Sequence, residues 1–443
     1  MGMERLSALD NVFLQLESEK TPMHVGGVLV FEPPSDRPAF AHALALSLRR
    51  PVACAPPFDR RLRRSPLPFS PASWAPVPAF EPGTHVFEAA VAEPGTCEDL
   101  WELVARLHRA RLDLGQPPWE CHVLTGLERG RFGIYYKVHH AAVDGVSGLR
   151  RMQNSLSAGP DDETPPLWQE KRTHARARSR PTRSRLKVGL EVAAALRAFV
   201  SEQRAHPDEL PGLYGAPLTS MNRMLSERRT IRSIDLDLPR AHQIAADAGA
   251  TVNDLALALV TGALRRYLGA RGELPSRPLV AFVPVSLHDE TSRDQLSNRV
   301  CSVLVYLPVQ LGEARARLAS IHAAMRRTKA FIRGLSPEAN TALSMVGGMP
   351  ALVGEMLGLT GLLPLPFNVV VSNVPGPRQP LYCSGARLEG LYPVSALFER
   401  QGLNVTLVSY LDRLSIGLLG CPDVCDLSAM TQAFSAAWEE LAD

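Results

Sequence analysis

The chain lacks several things that would narrow its class at once. Among 443 residues there are only seven cysteines, an odd number at Cys54, Cys97, Cys121, Cys301, Cys383, Cys421 and Cys425, without zinc-finger spacing. A disulfide framework is excluded, and reduced thiols in a cytoplasmic protein are the simplest expectation. The close pair in CPDVC has no second pair or nearby histidine to complete four ligands, so no metal is expected. Charge of one sign is lacking too: 48 Lys and Arg stand against 45 Asp and Glu, a formal net charge of +3. That is too slight to make nucleic acid a general partner. No uninterrupted apolar run reaches transmembrane length, and MGMERLSALD lacks the apolar core of a signal peptide. No short-period repeat occurs, and no GxSxG nucleophile elbow.

What is present is ordinary globular composition, 45% hydrophobic and 21% charged, in a chain long enough for two lobes. Up to about Leu156 short strands alternate with helices: a strand at Val25–Phe31, helices at Phe40–Arg50 and Cys97–Arg111, then the β-type run FGIYYKVHH. Lys171–Lys187 carries eight Lys or Arg and no acid, which reads as a basic linker between lobes, with a short helix at Leu190–Val200 behind it. The second half reads as helices at Val252–Leu268, Gly312–Gly334 and Leu427–Ala442. Its strands are RPLVAFVPVSL, CSVLVYLPV, FNVVVSN, LNVTLVSY and RLSIGLL. The fold class is therefore α/β of mixed α+β character. The boundaries are residues 1–165 for the first lobe, 166–212 for the crossover and 213–443 for the second. Between Glu338 and Arg378 the only charged residue is Glu355, yet glycines and prolines interrupt the run, leaving either core helix and loop or a lipid-touching surface.

The stretch Tyr135–Gly148, YYKVHHAAVDGVSG, sets two histidines at the end of an apolar strand. Alternation puts His140 on the apolar face with Phe132, Ile134, Tyr136 and Val138, and His139 on the other. Adjacent strand histidines do not readily share a metal. Asp144 is placed to cap the following helix or hold the strand end, and Gly145 to permit a tight turn. A fixed imidazole that is neutral near physiological pH is what a general base needs to take a proton from a hydroxyl or amine.

HHxxxDG resembles the active-site motif of the CoA-dependent acyltransferase superfamily, which includes chloramphenicol acetyltransferase and condensation domains. LSALDNVFLQLESEKTPMHVGGVLVF, RLDLGQPPWECHVLTGLERGRFGIYYKVHHAAVDGVSG, PPLW, TVNDLALA, VPVSL and VSNVPGP are similar, in the same order, to motifs of the bacterial wax ester synthase/diacylglycerol acyltransferase family. The resemblance implies two chloramphenicol-acetyltransferase-like lobes, each a mixed sheet with helices, and a tunnel between them. It implies an O-acyltransferase that moves a long-chain acyl group from acyl-CoA to diacylglycerol or a long-chain alcohol by direct transfer, with acyl-CoA as co-substrate and no permanently bound cofactor. His140 matches the catalytic histidine, His139 its neighbour, and Asp144 with Gly145 the structural end of the motif. Pro166, Leu167 and Trp168 match the PLW element, and Asn253 and Asp254 the ND element. Two steps depart from the pattern: Ser297 before Asn298 where Gly-Asn is usual, and Gly115–Gln116 in place of a Ser-Arg type step.

For the oxyanion, Asn253 is one candidate, in the first turn of its helix; the alternative is that Thr251, Asn253 and Asp254 only cap that helix. Asn373 is a second candidate, with a turn role before Pro375 as the alternative. Trp168 is expected as a packing anchor at the lobe junction. The basic tract reads as a solvated linker, as a contact for CoA phosphate, or, with long-chain substrates, as the means of peripheral contact with an anionic membrane or lipid droplet at the inner face of the plasma membrane, the last being the expectation here. Competing readings are the same chemistry on a specialised hydroxyl or amine, and a non-catalytic lipid-binding protein.

Overall fold

A computed structural model describes residues 4–37, 39–64, 72–143, 145–169, 185–212, 214–286, 300–336, 339–340, 342–343, 354 and 360–443. Asp144, Ser297, Asn298, most of the basic tract and much of the interrupted apolar run lie outside the described residues.

The first half of the chain runs β1 (Glu4–Arg5), α1 (Ala8–Gln15), β2 (His24–Glu32), α2 (Phe40–Leu48), β3 (Arg60–Arg63) and β4 (Ser73–Pro76). It continues through β5 (Val86–Ala90), α3 (Cys97–Arg109), β6 (Trp119–Thr125), β7 (Phe132–His139) and α4 (Gly145–Asn154). A long crossover helix, α5 (Arg185–Ala205), leads to β8 (Thr230–Asp237), α6 (Leu238–Asp247), α7 (Val252–Gly269), β9 (Leu279–Ser286), β10 (Val300–Leu307) and α8 (Ala314–Arg333). The chain closes with β11 (Val369–Val374), β12 (Tyr382–Cys383), β13 (Ala386–Val394), β14 (Leu403–Tyr410), β15 (Arg413–Gly420) and α9 (Leu427–Ala442).

Local signals account for the main helices. Thr96 and Asp99 form a reciprocal capping box on α3: the Asp99 N–H donates to the Thr96 hydroxyl (3.2 Å) and the Thr96 N–H to the Asp99 carboxylate (2.8 Å). Acids in its first turn and Arg106 and Arg109 in its last complement the helix dipole. Thr251 and Asp254 build the same box on α7. Ser7 caps α1 by accepting from the Asp10 N–H.

Two mixed six-stranded sheets result, in the orders β12-β13-β2-β7-β6-β5 and β10-β9-β11-β14-β15-β8, with a small β1-β4-β3 sheet beside the first. In the first, α2 and Trp168 cover one face and α3 the other, so β7 is buried on both sides. In the second, α6, α7, α8 and α9 pack on one face around Leu257, Val260, Val371, Leu407 and Phe434. Among the described residues no single helix is long and apolar enough to cross a membrane, and α7 is core.

Three boundaries need correction. β12 and β13 lie in 213–443 yet complete the first sheet, β13 pairing antiparallel with β2 (Leu391 opposite Leu29), so residues 213–443 do not form one lobe. Sheet pairing is a long-range choice that composition does not reveal. Pro166–Trp168 belong with the first lobe rather than the crossover. Trp168 is fully buried, stacks on Trp119 with centroids 4.6 Å apart, and its carbonyl accepts from the Ala55 N–H; it anchors that lobe's core, not the junction. The crossover helix is also longer than expected, because α8 supports it: Phe199 packs on Phe331, and Arg327 pairs with Glu202 and Glu209.

The lobes meet along α3, whose Leu100 and Trp101 share a cluster with Ile231 and Leu419 of the second sheet. The Trp101 indole donates to the Ser233 hydroxyl (3.0 Å) and Arg232 pairs with Glu98. β13 also crosses β15 so closely that a Cβ on Gly417 would strike the Pro393 carbonyl. Trp168→Ala should destabilise the protein by about 3–5 kcal/mol, read from urea unfolding. A loss below about 1 kcal/mol would refute the anchoring role assigned to this ring.

Candidate active site

β7 determines where the two histidines sit. It is flanked by β2 and β6, with His24 directly opposite His139. The His139 N–H donates to the Pro118 carbonyl (2.9 Å) and the His140 N–H to the Met23 carbonyl (2.8 Å), so successive amides are held from opposite sides. The strand ends there. His140 therefore lies in a turn, one residue past the alternation that was expected to aim it at the apolar face. Its ring is placed instead by α1: Phe13 stacks on it with centroids 3.8 Å apart and planes 18° apart. The imidazole is half-buried, one face covered.

His139 is fully buried. Its Nδ1 accepts the Ala141 N–H (3.1 Å), and its carbonyl accepts the Ala142 N–H (2.9 Å), which coils the turn that carries His140. Its Nε2 faces the Glu17 carboxylate at 3.8 Å. Burial pushes the Glu17 carboxyl up, but the His139 ring and the Arg111 guanidinium, 3.5 Å away, outweigh it and hold the carboxyl below its ordinary value.

Further along the same face, Lys137 is fully buried and its ammonium donates to the Leu107 carbonyl (3.0 Å), the Ala110 carbonyl and Glu120 (3.3 Å). It satisfies the C-terminal carbonyls of α3, which would otherwise lack partners. Burial lowers the Lys137 pKa although Glu120 opposes it. Next to it His108 joins the Tyr135 hydroxyl (2.7 Å) and the Ser395 carbonyl (2.8 Å), while His24 contacts the His108 carbonyl. Burial, reinforced by the Lys137 charge, pushes His108 down to about 3; burial and the charges of His108 and Lys137 hold His24 well below its ordinary value.

Of the motif's other members, Asp144 lies outside the described residues. Gly145 opens α4 and is exposed; its φ is not left-handed, and a Cβ there would meet nothing within 4 Å, so neither crowding nor backbone strain demands the glycine expected for a tight turn. Asp254 is buried in the α7 capping box and bonded to His322 of α8 (2.9 Å), which is the capping alternative. Asn253 is half-buried beside it in the first turn of α7. Asn373 is the penultimate residue of β11, on the face of Val369 and Val371, the one α7 covers. The next residue, Val374, packs with Leu149 and Met152 of α4, so β11 brings the second lobe against the motif's helix. Gly376 then approaches the Ser409 carbonyl so closely that a Cβ would collide with it. Gly115 closes a turn on the Asp113 carboxylate (2.8 Å). Among the described residues no group of three His, Cys, Asp or Glu is arranged to hold a metal.

Sequence reasoning passed over Phe13, Glu17, His24, His108 and Lys137. No helical spacing marks the first two as a pair, because α1 ends at Gln15 and Glu17 lies beyond it. Nothing local marks the other three. Chemically, a half-buried imidazole fixed at its backbone and stacked on one face is the kind of group that takes a proton from a hydroxyl brought to it.

Comparison with known proteins identifies the family and the fold. A family model described as the wax ester synthase/diacylglycerol acyltransferase catalytic domain matches residues 6–256, and one described as the WS/DGAT C-terminal domain matches residues 296–442. A probable diacylglycerol O-acyltransferase of Mycobacterium tuberculosis is 37% identical over 95% of this chain and 94% of its own length. The O-acyltransferase WSD of Acinetobacter baylyi is 33% identical over 95% of this chain and 92% of its own. Among solved structures, the wax ester synthase/diacylglycerol acyltransferase of Marinobacter aquaeolei superposes with a TM-score of 0.78 at 33% identity, covering 99% of this chain and 98% of that one. A condensation domain of the calcium-dependent antibiotic synthetase, at 18% identity and a TM-score of 0.62 over 100% of this chain and 96% of that one, shares the fold.

The buried histidines predict a pH effect. Folded His108 stays neutral down to about 3 whereas the unfolded residue takes up a proton near 6.5, so stability is present above that range and falls as pH drops through it. His24 acts in the same sense. Each should contribute a slope of about 1.4 kcal/mol per pH unit, seen in urea midpoints between about pH 6 and pH 5, and His108→Gln should remove its share. A flat profile would contradict the neutral assignment.

Proposed function

The chain belongs to the wax ester synthase/diacylglycerol acyltransferase family, and from that premise we propose that it transfers a long-chain fatty acyl group from acyl-CoA to diacylglycerol, to a long-chain alcohol, or to both. The observation that carries the reading is the His139–His140 turn, in which one imidazole is buried as a support and the other is half-buried with its ring stacked on Phe13.

In the proposed reaction His140 takes the proton of the acceptor hydroxyl. The oxygen attacks the thioester carbonyl and a C–O bond forms. The tetrahedral oxyanion then expels the thiolate as the C–S bond breaks, and the imidazolium returns its proton to sulfur, leaving an ester and free CoA. Transfer is direct, and no acyl-enzyme forms. Oxyanion donors are often worth a few kcal/mol; Asn253 and Asn373 are the candidates, both toward the α7 side of the second lobe. Acyl-CoA is a co-substrate, and no resident cofactor takes part.

We assign the protein to the cytoplasmic face of an anionic membrane or lipid droplet, as a peripheral protein. The eight Lys or Arg of Lys171–Lys187 support this, each worth about 1 kcal/mol near such a surface. So do the apolar side chains left in solvent on the helix that follows, where Leu190 is 72% exposed.

CoA release from palmitoyl-CoA, with diacylglycerol and hexadecanol offered separately, tests the chemistry. Release should require an acceptor and should fall by about a hundredfold to ten-thousandfold in His140→Ala; turnover retained in that variant would exclude His140 as the base. In flotation, anionic liposomes should retain the wild type and lose a variant with the basic tract neutralised. Equal recovery of both would end the membrane assignment.

A further inference from the structure

The Glu17 carboxylate is an anomaly. Its side chain is fully buried, and neither oxygen meets a hydrogen-bond partner among the described residues; the same holds for Nε2 of His139, 3.8 Å away and also fully buried. Two polar groups removed from water and set against each other in this way are costly unless each answers the other. Arg111, about two-fifths exposed, supplies a counter-charge from the outer side at 3.5 Å.

The other nitrogen of His139 settles which group answers which. Nδ1 accepts the Ala141 N–H, so it carries a lone pair and not a proton. The ring proton must then sit on Nε2, the atom aimed at Glu17. Resting on the acyl-transfer reading above, we propose that Glu17 is a positioning residue: its buried carboxylate selects the Nε2–H tautomer of His139, and through the Ala141 amide fixes the turn that aims His140.

The consequence of losing the charge follows from the donors and acceptors. A glutamine at 17 presents either a donor or an acceptor to Nε2, so the ring is no longer compelled to keep its proton there. With the proton on Nδ1, two donors would confront each other at the Ala141 amide, and the turn would shift. His140 would keep its Phe13 stack on one side while its backbone moved on the other. Because Phe13 lies in the last turn of α1 and Glu17 two residues past its end, a single short segment governs both histidines.

The test combines kinetics with histidine-selective isotope-labelled NMR, in which the His139 signals are identified by their loss in His139→Gln. Glu17→Gln should lower kcat by about tenfold to a hundredfold while leaving KM for acyl-CoA within about twofold, and the His139 ring signals should change from one tautomer to a mixture. Glu17→Asp, which keeps the charge, should retain the single tautomer and recover most of kcat; if Glu17→Gln does not fold, loss of the single tautomer in Glu17→Asp would refute the proposal. Glu19→Gln, exposed two residues on, serves as the control and should match the wild type. A His139 ring still wholly in the Nε2–H form in folded Glu17→Gln, or an unchanged kcat, would overturn the assignment. A wild type without turnover would instead sink the acyl-transfer reading, and the NMR signals would still decide what Glu17 does.

Discussion

Burial of β7 on both faces is the constraint from which much of this molecule follows. A strand covered on both sides by helices is ordinarily apolar throughout, yet this one carries Lys137 and His139 on the face toward α3. An ammonium group cannot remain there without hydrogen bonds. The carbonyls at the end of α3 and the Glu120 carboxylate supply them, and one contact thus satisfies both the buried charge and the helix terminus. It also fixes the position of α3. Since α3 is the wall against which β8 and the second sheet pack, the register of one buried lysine bears on how the lobes meet.

The lobes are interlocked rather than juxtaposed. β13 leaves the second half of the chain to pair with β2, which in turn pairs with β7, so the strand bearing the histidines is held at one remove by residues more than two hundred positions later. Return of the chain through β14 and β15 then presses β13 against the second sheet at Gly417. A site placed at the end of β7 depends on both halves of the sequence for its geometry. The Ser395 carbonyl bonded to His108 and the aromatic contact of Phe398 with Phe13 are further ties of this kind.

Neighbouring histidines meet different surroundings. His140 is half-buried with its ring stacked on Phe13, and His139, the residue before it, is withdrawn into the protein as part of the scaffold. The second-lobe motifs divide similarly. Asp254 is committed to the α7 cap and to His322, while β11 carries Asn373 and Val374 to the helix that follows the histidines. Residues adjacent in a motif thus differ in burial, one committed to contacts within the fold and the other only half-buried.

Periodicity and capping chemistry made most elements legible in the sequence. The α7 helix, the β14–β15 pair and the terminal helix fall where their apolar spacing puts them, because these signals are local. The histidine motif and its ordered companions were legible too, and they carried the family. Three things were not. Alternation along β7 misplaced His140, since where a strand stops depends on the partners its amides find, here Pro118 and Met23. The lobe boundary missed β13, because strand pairing across the chain leaves no mark in composition. The buried set of Glu17, His24, His108 and Lys137 was invisible, because a titratable side chain in a sequence looks the same whether it ends in water or against another charge. The sequence by itself determined the elements, the motif and the family; tertiary structure alone decided which polar groups were taken out of water together, since that depends on contacts between segments far apart in the chain.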